Sequence, residues 1–116
     1  MDTALKGNTV TLRAVVTSDA NDTYLSWMND EEVVRGLLSP KLPYLKQDLT
    51  QYVKAMLADP DVLFMAILDK DSGKHIGNIK LHNFNRESGT CELGIMIGDK
   101  AFWGRGAGSE ACRMMV

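Results

Sequence analysis

Ile95-Met96-Ile97-Gly98-Asp99-Lys100-Ala101-Phe102-Trp103-Gly104-Arg105-Gly106-Ala107-Gly108-Ser109-Glu110-Ala111 is the stretch whose reading decides the fold. An apolar run of strand character stops at Gly98, a polar turn follows, and Trp-Gly-Arg-Gly-Ala-Gly leads into a helix-forming segment. A strand, a glycine-rich turn and a helix start together make a site for an anion. The glycines let the backbone approach a ligand closely, and the first amides of the helix have no partner inside it. The open question is which phosphate the loop would take.

Upstream, Thr90–Ile97 reads as the third strand of an antiparallel meander. Its two-residue period sends Cys91, Leu93, Ile95 and Ile97 to one face and Thr90, Glu92, Gly94 and Met96 to the other. The second strand spans His75–His82, with Ile79 and Leu81 on one face. The first, Val62–Leu68, is a continuous apolar run, as expected of a strand covered on both faces. Residues 69–74 and 83–89 form the turns. Leu45 to Asp59 is the clearest helix, with Leu45, Leu49, Tyr52, Val53, Met56 and Leu57 along one side and Pro60 as its stop. Leu38–Tyr44, with two prolines, is a loop.

Nearer the start, Val10–Val16 alternates as a strand, and Thr17-Ser18-Asp19 carries helix-start chemistry. Ala20, Tyr24, Leu25 and Met28 then share a helical face, and Asp30 is placed to cap a short piece through Glu31–Val34. After the glycine loop, Ala107, Ala111, Met114 and Met115 form the apolar face of a helix that is still running at Val116. The order is β-α-α-β-β-β-α, an α/β-type (α+β layered) arrangement with an antiparallel meander at its centre. A strand-loop-helix unit of this kind delivers a further parallel strand, which would make the sheet mixed. The expectation is therefore a single domain over 1–116 that is the N-terminal part of a longer one.

Composition bounds the function classes. With 116 residues, 45% of them hydrophobic, the chain has material for one core. A net charge of −2 does not suggest a nucleic-acid partner or an anionic membrane surface. No apolar run is long enough to span a bilayer, and Met1–Asn8 lacks the pattern of a signal peptide. Cys91 and Cys112 are too few and too far apart for a zinc cluster or a CxxC motif. Each is expected to be a small buried residue in a reducing cytoplasm. His75 and His82 show no ligand spacing, so no metal is expected.

Two nucleotide motifs fail on spacing. A P-loop needs G-x-x-x-x-G-K-[ST], and no Lys-Ser or Lys-Thr pair follows Gly98 and Gly104. A dinucleotide fingerprint opens the first βα unit of a parallel sheet, whereas Gly104-x-Gly106-x-Gly108 follows a meander near the end of the chain.

The arrangement resembles the GCN5-related N-acetyltransferase (GNAT) superfamily. In that fold a loop of pattern [Q/R]-x-x-G-x-[G/A] joins the last meander strand to the next helix and holds the pyrophosphate of acetyl-CoA through its amides. The pattern aligns with Trp103-Gly104-Arg105-Gly106-Ala107-Gly108, with Trp103 standing where Gln or Arg is usual. This version, with Val10–Ala14 and Tyr24-Leu25-Ser26-Trp27-Met28-Asn29-Asp30-Glu31-Glu32-Val33, is similar to the branch that acetylates ribosomal-protein N-termini. The resemblance covers nearly the whole chain but only about the first two-thirds of a family domain.

The resemblance implies site residues one by one. Acetyl-CoA would lie along the backbone of Ile95, Met96 and Ile97, with its phosphates at Trp103, Gly104, Arg105, Gly106, Ala107, Gly108 and Ser109. Arg105 could add charge there or be a solvated turn residue, and Ser109 could donate to a phosphate or cap the helix. Glu92 is the candidate general base for deprotonating an amine. The alternative is an ion pair with Lys80 or an exposed edge carboxylate. Trp27 and Asn29 sit where the acceptor loop begins, although Trp27 could be a core anchor and Asn29, like Asp30, a helix cap. The implied activity is acetyl transfer from acetyl-CoA to a primary amine, on a small molecule such as an amino sugar or on a protein N-terminus. A family general acid would lie beyond Val116. The second reading is a non-catalytic CoA-binding module or a homodimer formed through the exposed Thr90–Ile97 edge.

Overall fold

The computed structural model describes residues 5–34, 45–85 and 87–115. Its centre is an antiparallel sheet in sequence order: β1 (Leu5–Lys6), β2 (Val10–Ala14), β3 (Leu63–Asp69), β4 (His75–Asn85) and β5 (Thr90–Ile97). Every described strand pair is antiparallel. The parallel strand expected to make the sheet mixed is not among the described strands.

Helices α1 (Asp22–Met28), α2 (Glu31–Val34) and α3 (Lys46–Ala58) precede the meander, and α4 (Ala107–Met115) ends the described chain. Two apolar clusters form. One holds Tyr24, Trp27, Met28, Leu49, Val53, Phe64, Ala66 and Met96. The other holds Val10, Leu12, Met65, Ile67, Ile76, Ile79, Ala107 and Ala111, with Ile95 and Ile97 packed against it. Alternate β3 residues go to opposite clusters, so Phe64–Ile67 are buried consecutively, as the unbroken apolar run predicts.

Several sequence expectations need correction. The first long strand ends at Ala14 rather than Val16, because residues 17–19 turn as a 3-10 helix instead of opening α1. The α1 cap is Asn21, whose side chain accepts from the Tyr24 amide at 3.0 Å. Asp19 instead receives two 2.8 Å hydrogen bonds from the Arg13 guanidinium and one from the Val16 amide. Burial pushes its pKa up, but those hydrogen bonds and the Arg13 charge outweigh it, and the carboxyl sits below its usual range. Along α3 the buried stripe is Leu49 and Val53; Leu45, Tyr52 and Leu57 are exposed. Strand β4 runs on to Asn85, three residues past the expected end. Cys91 is exposed, not buried, near the start of β5 at the edge of the described sheet, and Cys112 is half-buried. The loop expected over Leu38–Tyr44 lies outside the described residues.

Candidate active site

The glycine loop and the end of β5 enclose a groove of about 400 Å³. Its walls are Ile95, Met96 and Ile97 from β5, Trp103, Gly104 and Gly106 from the loop, and Ala107, Gly108 and Ser109 from the start of α4, with Val33 and Phe102 at the sides. Nine of the ten residues expected to hold the cofactor thus meet at one place. The tenth, Arg105, is exposed, with its guanidinium 5.3 Å from the centroid of the Phe102 ring.

The loop's shape follows from its glycines. Gly104 and Gly106 adopt φ of +73° and +81°, the left-handed region that disfavours any residue with a Cβ. A side chain at either position would meet no heavy atom within 4 Å, so space on that side is open. The first hydrogen bond of α4 runs from the Glu110 amide to the Gly106 carbonyl at 2.9 Å. The amides of Ala107, Gly108 and Ser109 precede it and have no acceptor within the helix. Together they make a place for a phosphate.

Trp103, the departure from the family pattern, has a structural part. Its indole N–H donates to the Ile97 carbonyl at 2.7 Å, pinning the loop to the end of β5, while the ring stays 41% exposed beside the groove. The Ile97 carbonyl is therefore already engaged, so backbone pairing with a ligand arm falls to the rest of the Ile95–Ile97 segment.

Trp27 takes the core-anchor part. It is 6% exposed and packs on Tyr24 and His75, with ring centroids 5.8 and 5.1 Å away. Its indole lies on Gly98, where any side chain would overlap the ring, so a glycine is required as β5 leaves the sheet. Trp27 thereby sets where the loop begins without lining the groove. Asn29 is exposed at the C-terminal end of α1. Asp30 caps α2 through the Glu32 amide at 3.0 Å. It also joins Glu32 on Lys100, whose ammonium is 2.8 Å from both carboxylates. This clamp ties the turn entering the glycine loop to α2, and the Lys100 hydrogen bond holds Asp30 below the usual carboxylate range.

Glu92 stands on β5 with its side chain 65% exposed, its Oε2 3.7 Å from His82 Nε2 on β4. Lys80, the ion-pair partner proposed from sequence, is bound to Tyr52 instead.

Sequence reasoning missed Glu110, which is 9% exposed and accepts from the amides of Thr9 and Val10, both at 2.9 Å, and from the Thr9 hydroxyl. These bonds, the Thr9 amide foremost, hold its carboxyl below its ordinary range and fasten α4 to the start of β2. Its signal was an acid one position before the apolar Ala111, on the buried side of a helix that Ala107 also defines. Among the described residues, no three His, Cys, Asp or Glu gather as a metal site. Nor is any described helix long and apolar enough to cross a membrane.

An antiparallel meander feeding a glycine-lined groove at a helix N-terminus is a frame that can receive a phosphate-bearing ligand. The acetyltransferase (GNAT) domain model matches residues 9–116, and the chain belongs to that family. A T. thermophilus protein assigned to the acetyltransferases is 27% identical and superposes with a TM-score of 0.76, covering 97% of this chain and 57% of that one. The microcin C7 self-immunity acetyltransferase MccE, solved with acetyl-CoA and AMP, is 17% identical (TM-score 0.77; 94% and 61%). A Vibrio cholerae protein assigned as a ribosomal-protein-serine acetyltransferase is 15% identical (TM-score 0.77; 98% and 64%). The last two share the fold. The chain spans less than two thirds of the length of each of these solved proteins. No curated protein sequence matches it significantly.

Proposed function

We propose that this chain is the cofactor-binding part of an acetyl-CoA-dependent N-acetyltransferase acting on a primary amine. The observation that carries the reading is the groove in which the β5 end, two left-handed glycines and the open amides of α4 converge. These residues fit acetyl-CoA: the phosphates suit the amides of residues 104–109, and the apolar walls at Ile95, Met96 and Phe102 suit the arm. When bound, acetyl-CoA supplies an acetyl group activated as a thioester and leaves as the thiol.

The chain's own residues then position and deprotonate the acceptor. Ile95–Ile97 would orient the arm by backbone hydrogen bonds, and Trp103 fixes the loop against that strand. Glu92, solvent-accessible on the same face as Met96, would take a proton from the acceptor ammonium directly or through water, leaving a neutral amine to attack. A small molecule and a protein N-terminus are both candidate acceptors, and the cytoplasm is the proposed compartment. The alternative is a CoA-binding or dimerising module without catalysis, favoured by the free edge of β5 and the 39% exposure of Leu93.

Thiol release from acetyl-CoA by the protein in its complete reading frame, in the presence of amines, tests the enzyme. CoA binding without turnover of any amine supports the CoA-binding module instead, and failure to bind CoA in calorimetry removes both and leaves only the dimerising one.

A further inference from the structure

Past the inner end of the groove, the sheet face leading away from Met96 carries groups that the acetyl-CoA reading leaves unused. Strand register sets Asn78 opposite Met96, Lys80 opposite Gly94 and His82 opposite Glu92. By the two-residue period these six share one face of β4 and β5. The face is filled at the Met96 end, where Met96 and Asn78 are both buried. It opens at Gly94, where an added side chain would meet no heavy atom within 4 Å. Beyond the opening stands the His82–Glu92 contact at 3.7 Å.

Beside the opening, Lys80 is engaged by α3. Its Nζ lies 2.9 Å from the Tyr52 hydroxyl, 4.0 Å from Met56 Sδ and 5.4 Å from the Tyr52 ring centroid. The Tyr52 ring is itself set edge-on against Phe64, the β3 neighbour of Lys80, at 6.2 Å. The lysine is half-buried, and among the described residues no carboxylate stands within ion-pair distance of it. A half-buried cation directed by a tyrosine, with no carboxylate partner among the described residues, can receive an anion from outside the chain. Lys80 and Glu92 are diagonal neighbours, about 7–8 Å apart at the backbone. A positive and a negative side chain thus flank the same opening.

We infer that the Gly94 opening is the acceptor subsite and that Lys80, aimed by Tyr52, selects an amine that also carries an anionic group, carboxylate or phosphate, while Glu92 faces its ammonium. This rests on the acetyltransferase reading and narrows its acceptor to a small amino acid-like or amino phosphate compound.

The test uses matched probes with the protein in its complete reading frame. β-Alanine is compared with its methyl ester, and ethanolamine phosphate with ethanolamine, by thiol release. At least one charged member should exceed its neutral partner in kcat/KM by about tenfold or more, the worth of one charge-assisted hydrogen bond. Which pair responds identifies carboxylate or phosphate. Lys80→Met, which keeps the stem, should bring that ratio near one with CoA affinity unchanged in calorimetry, and Lys80→Arg should restore part of it. Transfer with both wild-type ratios near one, or a ratio that survives Lys80→Met, overturns the inference while leaving the acetyltransferase standing. No CoA binding by the wild type removes both. The wild-type ratios decide the matter even where Lys80→Met fails to fold.

Discussion

Replacing Gly106 by alanine separates the loop's backbone shape from the stability of the fold. Gly106 sits at φ +81° on the groove wall with open space where a Cβ would go, so the substitution costs conformational strain and no collision. Forcing alanine into the left-handed region costs about 1–2 kcal/mol, offset by some tenths from its smaller unfolded-state entropy. The net of about 1 kcal/mol should lower the melting temperature by about 4–6 °C in a domain of this size. Gly89 is the matched control: its φ is +69°, it too has nothing within 4 Å, and it lies in the β4–β5 turn, at the other end of β5 from the groove. Gly89→Ala and Gly106→Ala should therefore destabilise alike in scanning calorimetry. Only Gly106→Ala should weaken CoA in titration calorimetry, by about 10–100-fold, the loss of one amide–phosphate bond. Equal effects of the two variants on CoA affinity would refute the assignment of this loop as the phosphate site.

Other outcomes follow from single contacts. Glu110→Ala strands the buried Val10 amide and the part-buried Thr9 amide that now donate to its carboxylate, so urea denaturation should show about 2–3 kcal/mol lost. Trp27→Ala removes a core ring and its contact with Gly98, costing about 3–5 kcal/mol by the same measurement. Asp19 and Glu110 both have folded pKa values below their unfolded ones, so they bind fewer protons in the folded state near pH 4. Their contribution is full above roughly pH 5 and is lost as pH falls through about 4 and below. Urea midpoints measured from pH 7 to 3 should decline at the acid end, and the decline should be shallower in Asp19→Asn. Glu92→Gln should reduce kcat of the complete protein far more than CoA affinity; equal losses in both would assign Glu92 to binding rather than proton transfer.

What could be read from sequence depended on the range of the interaction. The β5 bounds, Thr90–Ile97, were legible because a two-residue alternation between a turn and a glycine is a local signal. The groove was legible because its walls are nearly contiguous in sequence and its glycines announce the backbone they permit. The start of α1 was misread because Thr17-Ser18-Asp19 and Asn21 carry the same capping chemistry. Arg13, six residues before Asp19, draws that carboxylate away from the cap role. Glu110 and Lys80 were illegible for a related reason: their partners, Thr9 and Tyr52, are distant in sequence, and a charged residue in a helix or strand reads as solvated unless its partner is known. Trp27 could be either anchor or contact until Gly98 was found beneath its ring.

The most direct test of the central claim is a map of backbone amide shifts as CoA is titrated into the isotopically labelled 116-residue chain. The account predicts shifts concentrated at residues 95–97 and 103–109, with Gly104 and Gly106 among the largest. The indole N–H of Trp103 should also move, because it hydrogen-bonds the strand that the arm would follow. Shifts confined to the cleft lined by Gly7, Lys70 and Arg113, or no shifts at millimolar CoA, would contradict it.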